Sequence, residues 1–308
     1  MSGILAEKRA YTTHFKKEAV ILGILPGLLV FLSFSVLPSI LTFFFSFTDI
    51  RQIPGRPWQF VGLANYREVL FQNNSRDMLD SLKRTFIFSF SVTGFQTAFA
   101  LLLSILFTRK TLAGKNIFRT IIFLPNVLGV TVTGLCFKLL FSIDGPARIV
   151  LGLFGKSSAF FGDWNLALPL VIFCQVWMYV GYEMVIFIAG LQNISEDLYE
   201  AARIDGASEW QIFWGVTLPL LWSTVMVNVT LCVVGSLSAF QLILVTTQGS
   251  PPTRTLAMFV YQTAFGMGGG NNNTGRQGLA AAMQMLLFVF ILIITIFSRY
   301  LMSRKEEE

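Results

Sequence analysis

The sequence predicts an all-α membrane protein with about six spanning helices, and three observations lead there. Of 308 residues, 54% are hydrophobic and only 13% are charged, roughly half the charged fraction of a soluble domain. Six apolar stretches are each long enough to cross a hydrocarbon core of about 30 Å, and none alternates as a barrel strand would. The basic residues behind the net charge of +6 gather beside these stretches instead of forming one stripe. They therefore read as topology signals, which argues against nucleic-acid binding.

The stretches cover residues 19–47, 85–108, 117–141, 166–191, 215–246 and 279–301. This divides the chain into an N-terminal tail (1–18), a six-helix membrane domain (19–302) and a C-terminal tail (303–308). The first stretch follows Lys16 and Lys17. It is too long for a signal peptide and lacks a small-residue cleavage site, so it is expected to remain as a span. Pro26 and Pro38 should bend it, and Pro125 should interrupt the third span. Residues 266–278, rich in glycine and asparagine, read as a flexible external loop.

Orientation follows from lysine and arginine near the span ends. Lys8, Arg9, Lys16 and Lys17 precede the first span, and Arg109, Lys110, Lys115 and Arg119 crowd the second connection. Arg299, Arg304 and Lys305 close the last span. With six spans all three clusters fall on one side, which the positive-inside rule makes cytoplasmic. Arg51, Arg56, Lys83 and Arg84 on the other side are diluted by Asp49, Glu68, Asp77 and Asp80.

The connection between the fourth and fifth spans, residues 193–214, is different in kind. Ser195 suits a helix N-cap, with Glu196 and Asp197 in the first turn where the macrodipole favours negative charge. Leu198, Ala201, Ala202 and Asp205 recur at helical spacing, and Gly206 suits a C-terminal cap. A short helix, a glycine break and a second short helix running from Ala207 to Pro219 are expected. The segment is acidic although it faces the cytoplasm, which fits a docking surface for a basic groove. The residues alone fit a solvated amphipathic connector equally well.

Glu200-Ala201-Ala202, three residues, Gly206, nine residues and then Val216-Thr217-Leu218-Pro219 resemble the EAA motif of ABC importer permeases. Only Val216 departs from the usual isoleucine. Phe60-Val61-Gly62-Leu63-Ala64-Asn65-Tyr66, Phe118-Arg119-Thr120 with Phe123-Leu124-Pro125, Ala189-Gly190-Leu191-Gln192 and Thr247-Gln248-Gly249-Ser250-Pro251 extend the resemblance over nearly the whole chain. In the last of these, Ser250 stands where a second glycine is usual. The Arg-Lys-Glu-Glu-Glu ending is similar to the MalF-like sugar permease branch.

The resemblance implies the type I ABC importer permease fold in a bacterial or archaeal plasma membrane, with both termini cytoplasmic. It also implies an ATP-driven importer, with carbohydrate as solute and alternating access as mechanism. Glu200, Ala201, Ala202, Asp205 and Gly206 would form a coupling helix seated in a cleft of the ATP-binding subunit. The implied partners are a second permease subunit, two ATP-binding subunits and an extracellular or periplasmic solute-binding protein. ATP and Mg would sit on the ATP-binding partner, with no cofactor on this chain.

Enzymatic readings find no residues to use. Gly155-Lys156-Ser157 hints at a phosphate loop, but Val150 stands where the loop needs glycine. His14 is the only histidine, and Cys136, Cys174 and Cys232 lie in apolar runs as expected for buried apolar residues. No carboxylates cluster for metal or triad chemistry.

Polar groups inside spans mark aqueous cavities or bundle interiors. Gln175, Tyr179 and Tyr182 share one helical face of the fourth span, a surface of amide, hydroxyl and ring suited to sugars. Glu183 is the costliest group in that span. The fifth span offers Asn228, Ser236, Ser238, Phe240 and Gln241. The resemblance favours Gln175, Tyr179, Tyr182, Ser236 and Phe240 as substrate contacts, and helix–helix packing explains the polar groups equally well. The alternative function is an ion-coupled secondary transporter of a small solute. It would prefer paired carboxylates or discontinuous spans in repeated halves, and the sequence presents neither.

Overall fold

The computed structural model describes residues 17–53, 55–72, 75–108, 114–153, 157–267 and 274–306, with side chains described from residue 23 to residue 300. Lys8, Arg9, His14, Lys16, Arg109, Lys110, Gly155, Lys156 and residues 268–273 lie outside the described residues. Elements among the described residues are helical apart from one bridge between Thr48 and Phe60.

The chain begins with α1 (Lys17–Phe31), a π turn (Leu32–Val36) and α2 (Leu37–Phe45). Pro38 has no N–H for the carbonyl four residues back, and the wider π turn accommodates that gap. Pro26 sits inside α1 without ending it. Few residues of the span Gly23–Phe45 are even partly covered within this chain, and its apolar side chains stand largely exposed. Beyond it, the Asn65 amide on α3 (Ala64–Phe71) donates to the carbonyls of Ser46 and Thr48 at 2.9 and 2.8 Å. This pins the family-like segment 60–66 under the end of α2.

The second span, α4 (Ser75–Thr108), starts ten residues before the expected boundary, because the polar turn before Thr85 continues the helix. Its buried face is a row of small and polar residues, including Ser81, Thr85, Ser89, Gln96, Ala100 and Ser104. Small side chains let backbones approach closely, and α8 (Ala167–Gln192) packs along this row.

Two expected spans are broken. The third divides into α5 (Lys115–Val127) and α6 (Val130–Leu140), which meet at 98°. Pro125 does not make the break. The helix runs past it to Val127, and the chain turns at Leu128 and Gly129, which take extended backbone. Segment 130–153 ends in α7 (Pro146–Leu153).

The expected span 215–246 is likewise not one helix. After α9 (Glu196–Ile204), α10 (Glu209–Ile212) runs through a π turn (Phe213–Thr217) into α11 (Leu218–Leu220). This unit meets α12 (Trp222–Leu237) at 70°. Residues 238–240 then leave the helical path before α13 (Gln241–Thr247). An apolar helix too short to span, α14 (Leu256–Phe265), precedes α15 (Gln277–Glu306), which carries the last span. Four helices long enough to span and two bent pairs give up to six crossings. The third and fifth expected spans are therefore discontinuous, the fifth with no such expectation from the sequence.

Polar ties join the loops at one end of the spans. Arg276 makes a two-pronged pair with Glu68, both contacts 2.6 Å, which raises the arginine's pKa by hydrogen bonding to the carboxylate. Arg254 meets Asp77 at 2.6 Å and lies over the Phe259 ring. Cys174 and Cys232 are buried as expected, whereas Cys136 is exposed within this chain, on an outer face of α6.

Candidate functional site

A cavity of about 440 Å³ opens where α4, α6, α8, α12 and α13 converge. The break after α12 helps create it. A continuous helix would carry residues 238–241 past the wall, whereas here Ser238, Phe240 and Gln241 line it. On α8, Gln175, Tyr179 and Tyr182 share a face and line the same space, so all five expected substrate residues converge.

Their availability differs. Gln175, Tyr179, Tyr182, Ser238 and Gln241 line the cavity, and their side chains form no hydrogen bond with other described residues, leaving amides and hydroxyls to face a solute. Ser236 is almost fully buried, and its hydroxyl is 2.7 Å from that of Ser89 and donates to the Val233 carbonyl at 3.0 Å. Phe240 stacks on Tyr261 with centroids 5.1 Å apart, which fixes its ring. Asn228 is fully buried away from the cavity lining, and its amide has no partner among the described residues.

Glu183 also reaches the wall, 2% exposed. The Gln96 amide donates to it at 2.9 Å, the Thr97 hydroxyl reaches its second oxygen at 3.4 Å, and Cys232 lines the same wall. Gln96 is the participant that sequence reading missed. It is the only amide in the apolar run of the second span, and the rule that singled out Gln175 would have found it.

The second site is the loop after α8. The Ser195 hydroxyl accepts from the Asp197 N–H at 3.3 Å, as its N-cap role requires. At the other end the Gly206 N–H donates to the Arg203 carbonyl and the Ala207 N–H to the Ala202 carbonyl, at 3.1 and 3.0 Å. This pair of bonds is a Schellman closure, with Gly206 at φ +79°. Ser208 and Gln211 then form a capping box that starts α10. Arg203 pairs with Glu209 across the turn at 3.5 Å.

Glu200, Ala201, Asp205 and Gly206 are exposed and Ala202 is half-buried, all on this one helix and its cap. Beside them Ile204 is 85% and Trp210 69% exposed. Large apolar side chains standing out of a polar loop are the composition of a contact surface. Trp210, Phe213 and Trp214 pack ring to ring where the loop enters α11, so the exposed face is joined rigidly to the bent span.

Residues 96–307 match the family described as binding-protein-dependent transport system inner membrane component. The trehalose/maltose transport system permease protein MalF of Thermococcus litoralis is 33% identical over 291 residues, covering 92% of this chain and 95% of that protein. The osmoprotective compounds uptake permease protein GgtC of Synechocystis sp. is 30% identical over 282 residues, covering 88% and 95%. A solved bacterial ABC transporter involved in the import of the acidic polysaccharide alginate superposes with a TM-score of 0.80 at 21% identity, covering 96% of this chain and 99% of that one. The fold is thus that of a type I ABC importer permease, and the chain belongs to the family of binding-protein-dependent transport system inner membrane components.

Proposed function

We propose that this chain forms half of the translocation pathway of an ATP-driven importer for a carbohydrate or a related polyhydroxylated solute. The observation that carries the reading is the cavity, whose wall sets free amides and hydroxyls among aromatic rings. Rings cover the apolar C–H faces of a sugar, and amides bond its hydroxyls. The relative named for trehalose/maltose transport supports the same class. The other half of the pathway would come from a second permease subunit. Two ATP-binding subunits carrying ATP and Mg would act on the α9 loop, and an external solute-binding protein would deliver the solute, as with the binding-protein complex solved for the alginate transporter. Purification from membranes tests this: an ATP-binding subunit should be retained and uptake should require it, whereas ion-driven uptake by this chain alone would sink the reading.

Gln175→Ala and Tyr179→Ala are each expected to weaken uptake affinity several-fold while the subunits still assemble. One lost hydrogen bond corresponds to about 0.5–1.5 kcal/mol. Unchanged uptake over a range of solute concentrations would return both residues to helix packing.

Both termini and residues 193–214 are assigned to the cytoplasm on the positive-inside rule. In a cysteine-free background, a cysteine replacing Ser195 or Ser303 should resist an impermeant thiol reagent in intact cells and react after lysis. Labelling from outside would overturn the orientation.

A further inference from the structure

The fold leaves the charge of the solute open, since the alginate importer shares it. The cavity wall bears on that question directly. Among the described residues, no lysine, arginine or histidine lines it, and its only carboxyl belongs to Glu183. That carboxyl is not free to swing away to water. It is 2% exposed and held by the Gln96 amide at 2.9 Å and the Thr97 hydroxyl at 3.4 Å. Gln96 is itself 4% exposed, so the pair is a fixed part of the wall.

Moving a charged group from water into such a space is strongly unfavourable unless a counter-charge or a full set of donors meets it. A solute carboxylate would find no counter-charge on this half of the pathway, and it would meet an existing acid. An uncharged polyol meets no such penalty. Its hydroxyls can bond the free groups of Gln175, Tyr179, Tyr182 and Gln241, which both donate and accept.

We propose that Glu183, positioned by Gln96, is the charge filter of this permease, admitting uncharged polyhydroxylated solutes and rejecting carboxylated ones such as oligouronides. The inference rests on the carbohydrate reading above and narrows it.

The test uses the assembled transporter in nanodiscs without its solute-binding protein, so that delivery does not impose its own selectivity. Binding of a neutral trisaccharide, maltotriose, and of an oligouronide of equal length, trigalacturonate, is compared by saturation-transfer NMR. The neutral sugar should bind, with the uronide at least about tenfold weaker. Glu183→Gln should narrow that gap. Gln241→Lys, a cation added at an exposed wall position, should raise uronide binding by about tenfold without disturbing the buried pair. Equal binding of the two sugars by the native transporter, or an unchanged ratio in Glu183→Gln, would overturn the filter and leave the carbohydrate reading standing. Binding of neither sugar would remove the carbohydrate reading and this inference with it.

Discussion

Gly206→Asp should abolish uptake and weaken retention of the ATP-binding subunit by at least about tenfold, with the permease still present in the membrane in normal amount. Gly206 closes α9 at φ +79°, a left-handed conformation in which a side chain costs about 1 kcal/mol. Aspartate tolerates that region better than most residues, so strain alone does not account for the loss. Within this chain an added Cβ meets no atom within 4 Å, so the fold has no reason to fail. The effect therefore falls on whatever docks against the exposed face formed by Glu200, Ala201, Asp205 and Ile204. There the variant places bulk and a negative charge at a close contact. Gly206→Ala supplies the strain without the charge and should show a smaller loss. Glu200→Lys should also act more weakly, by repelling a basic groove. Uptake and pull-down are measured together on membranes with matched permease content. Normal transport by Gly206→Asp at native abundance would show that this loop is not where the ATP-binding subunit docks.

The capped loop after α8 was legible because its signals are local. Ser195, Asp205 and Gly206 fix caps through their own side-chain and backbone chemistry, and the structure puts those caps where the residues require them. The apolar segments were legible from their length for the same reason, and the structure allows up to six crossings. Span continuity was not legible. Residues 117–141 and 215–246 are predominantly apolar, and hydropathy cannot distinguish a helix that crosses a bilayer from one that turns inside a bundle. The turn at Leu128 and Gly129 has a glycine as its only mark, whereas Pro125 was the louder signal and proved compatible with the helix.

The cavity was half legible. Gln175, Tyr179 and Tyr182 sit on one helix, so periodicity alone aligns them. Their meeting with Gln96 and Gln241 depends on which faces of α4 and α13 turn inward, which is settled by packing between segments far apart in sequence. Ser236 shows the converse case. Its position suggested a solute contact, yet the hydroxyl of Ser89 on α4 comes within 2.7 Å of it.

The other large effect is expected at Gly181, which sits on α8 between the cavity residues Tyr179 and Tyr182. A Cβ there would overlap the Ile122 carbonyl oxygen and lie 2.7 Å from its carbon and 2.8 Å from the Phe123 Cα. These are backbone atoms of α5, and no rotamer change can move them aside. Either α5 shifts away from α8 or the added atom is not accommodated. A shift would break a packed contact that includes Ile122 and Val180 beside the buried Phe187 and Met184. Overpacking of this kind costs about 1–3 kcal/mol for a small group and more for a branched one. Gly181→Ala should therefore lower the thermal stability of the purified complex, and Gly181→Val should leave little folded permease in the membrane. Gly94, also inside a span, provides the contrast. A Cβ there meets nothing within 4 Å, and alanine is favoured over glycine in a helix by about 1 kcal/mol. Gly94→Ala should match or exceed native stability. If Gly181→Val accumulates and unfolds like the native protein, α5 and α8 are not in the close contact described, and α8 is seated differently beside the cavity it lines.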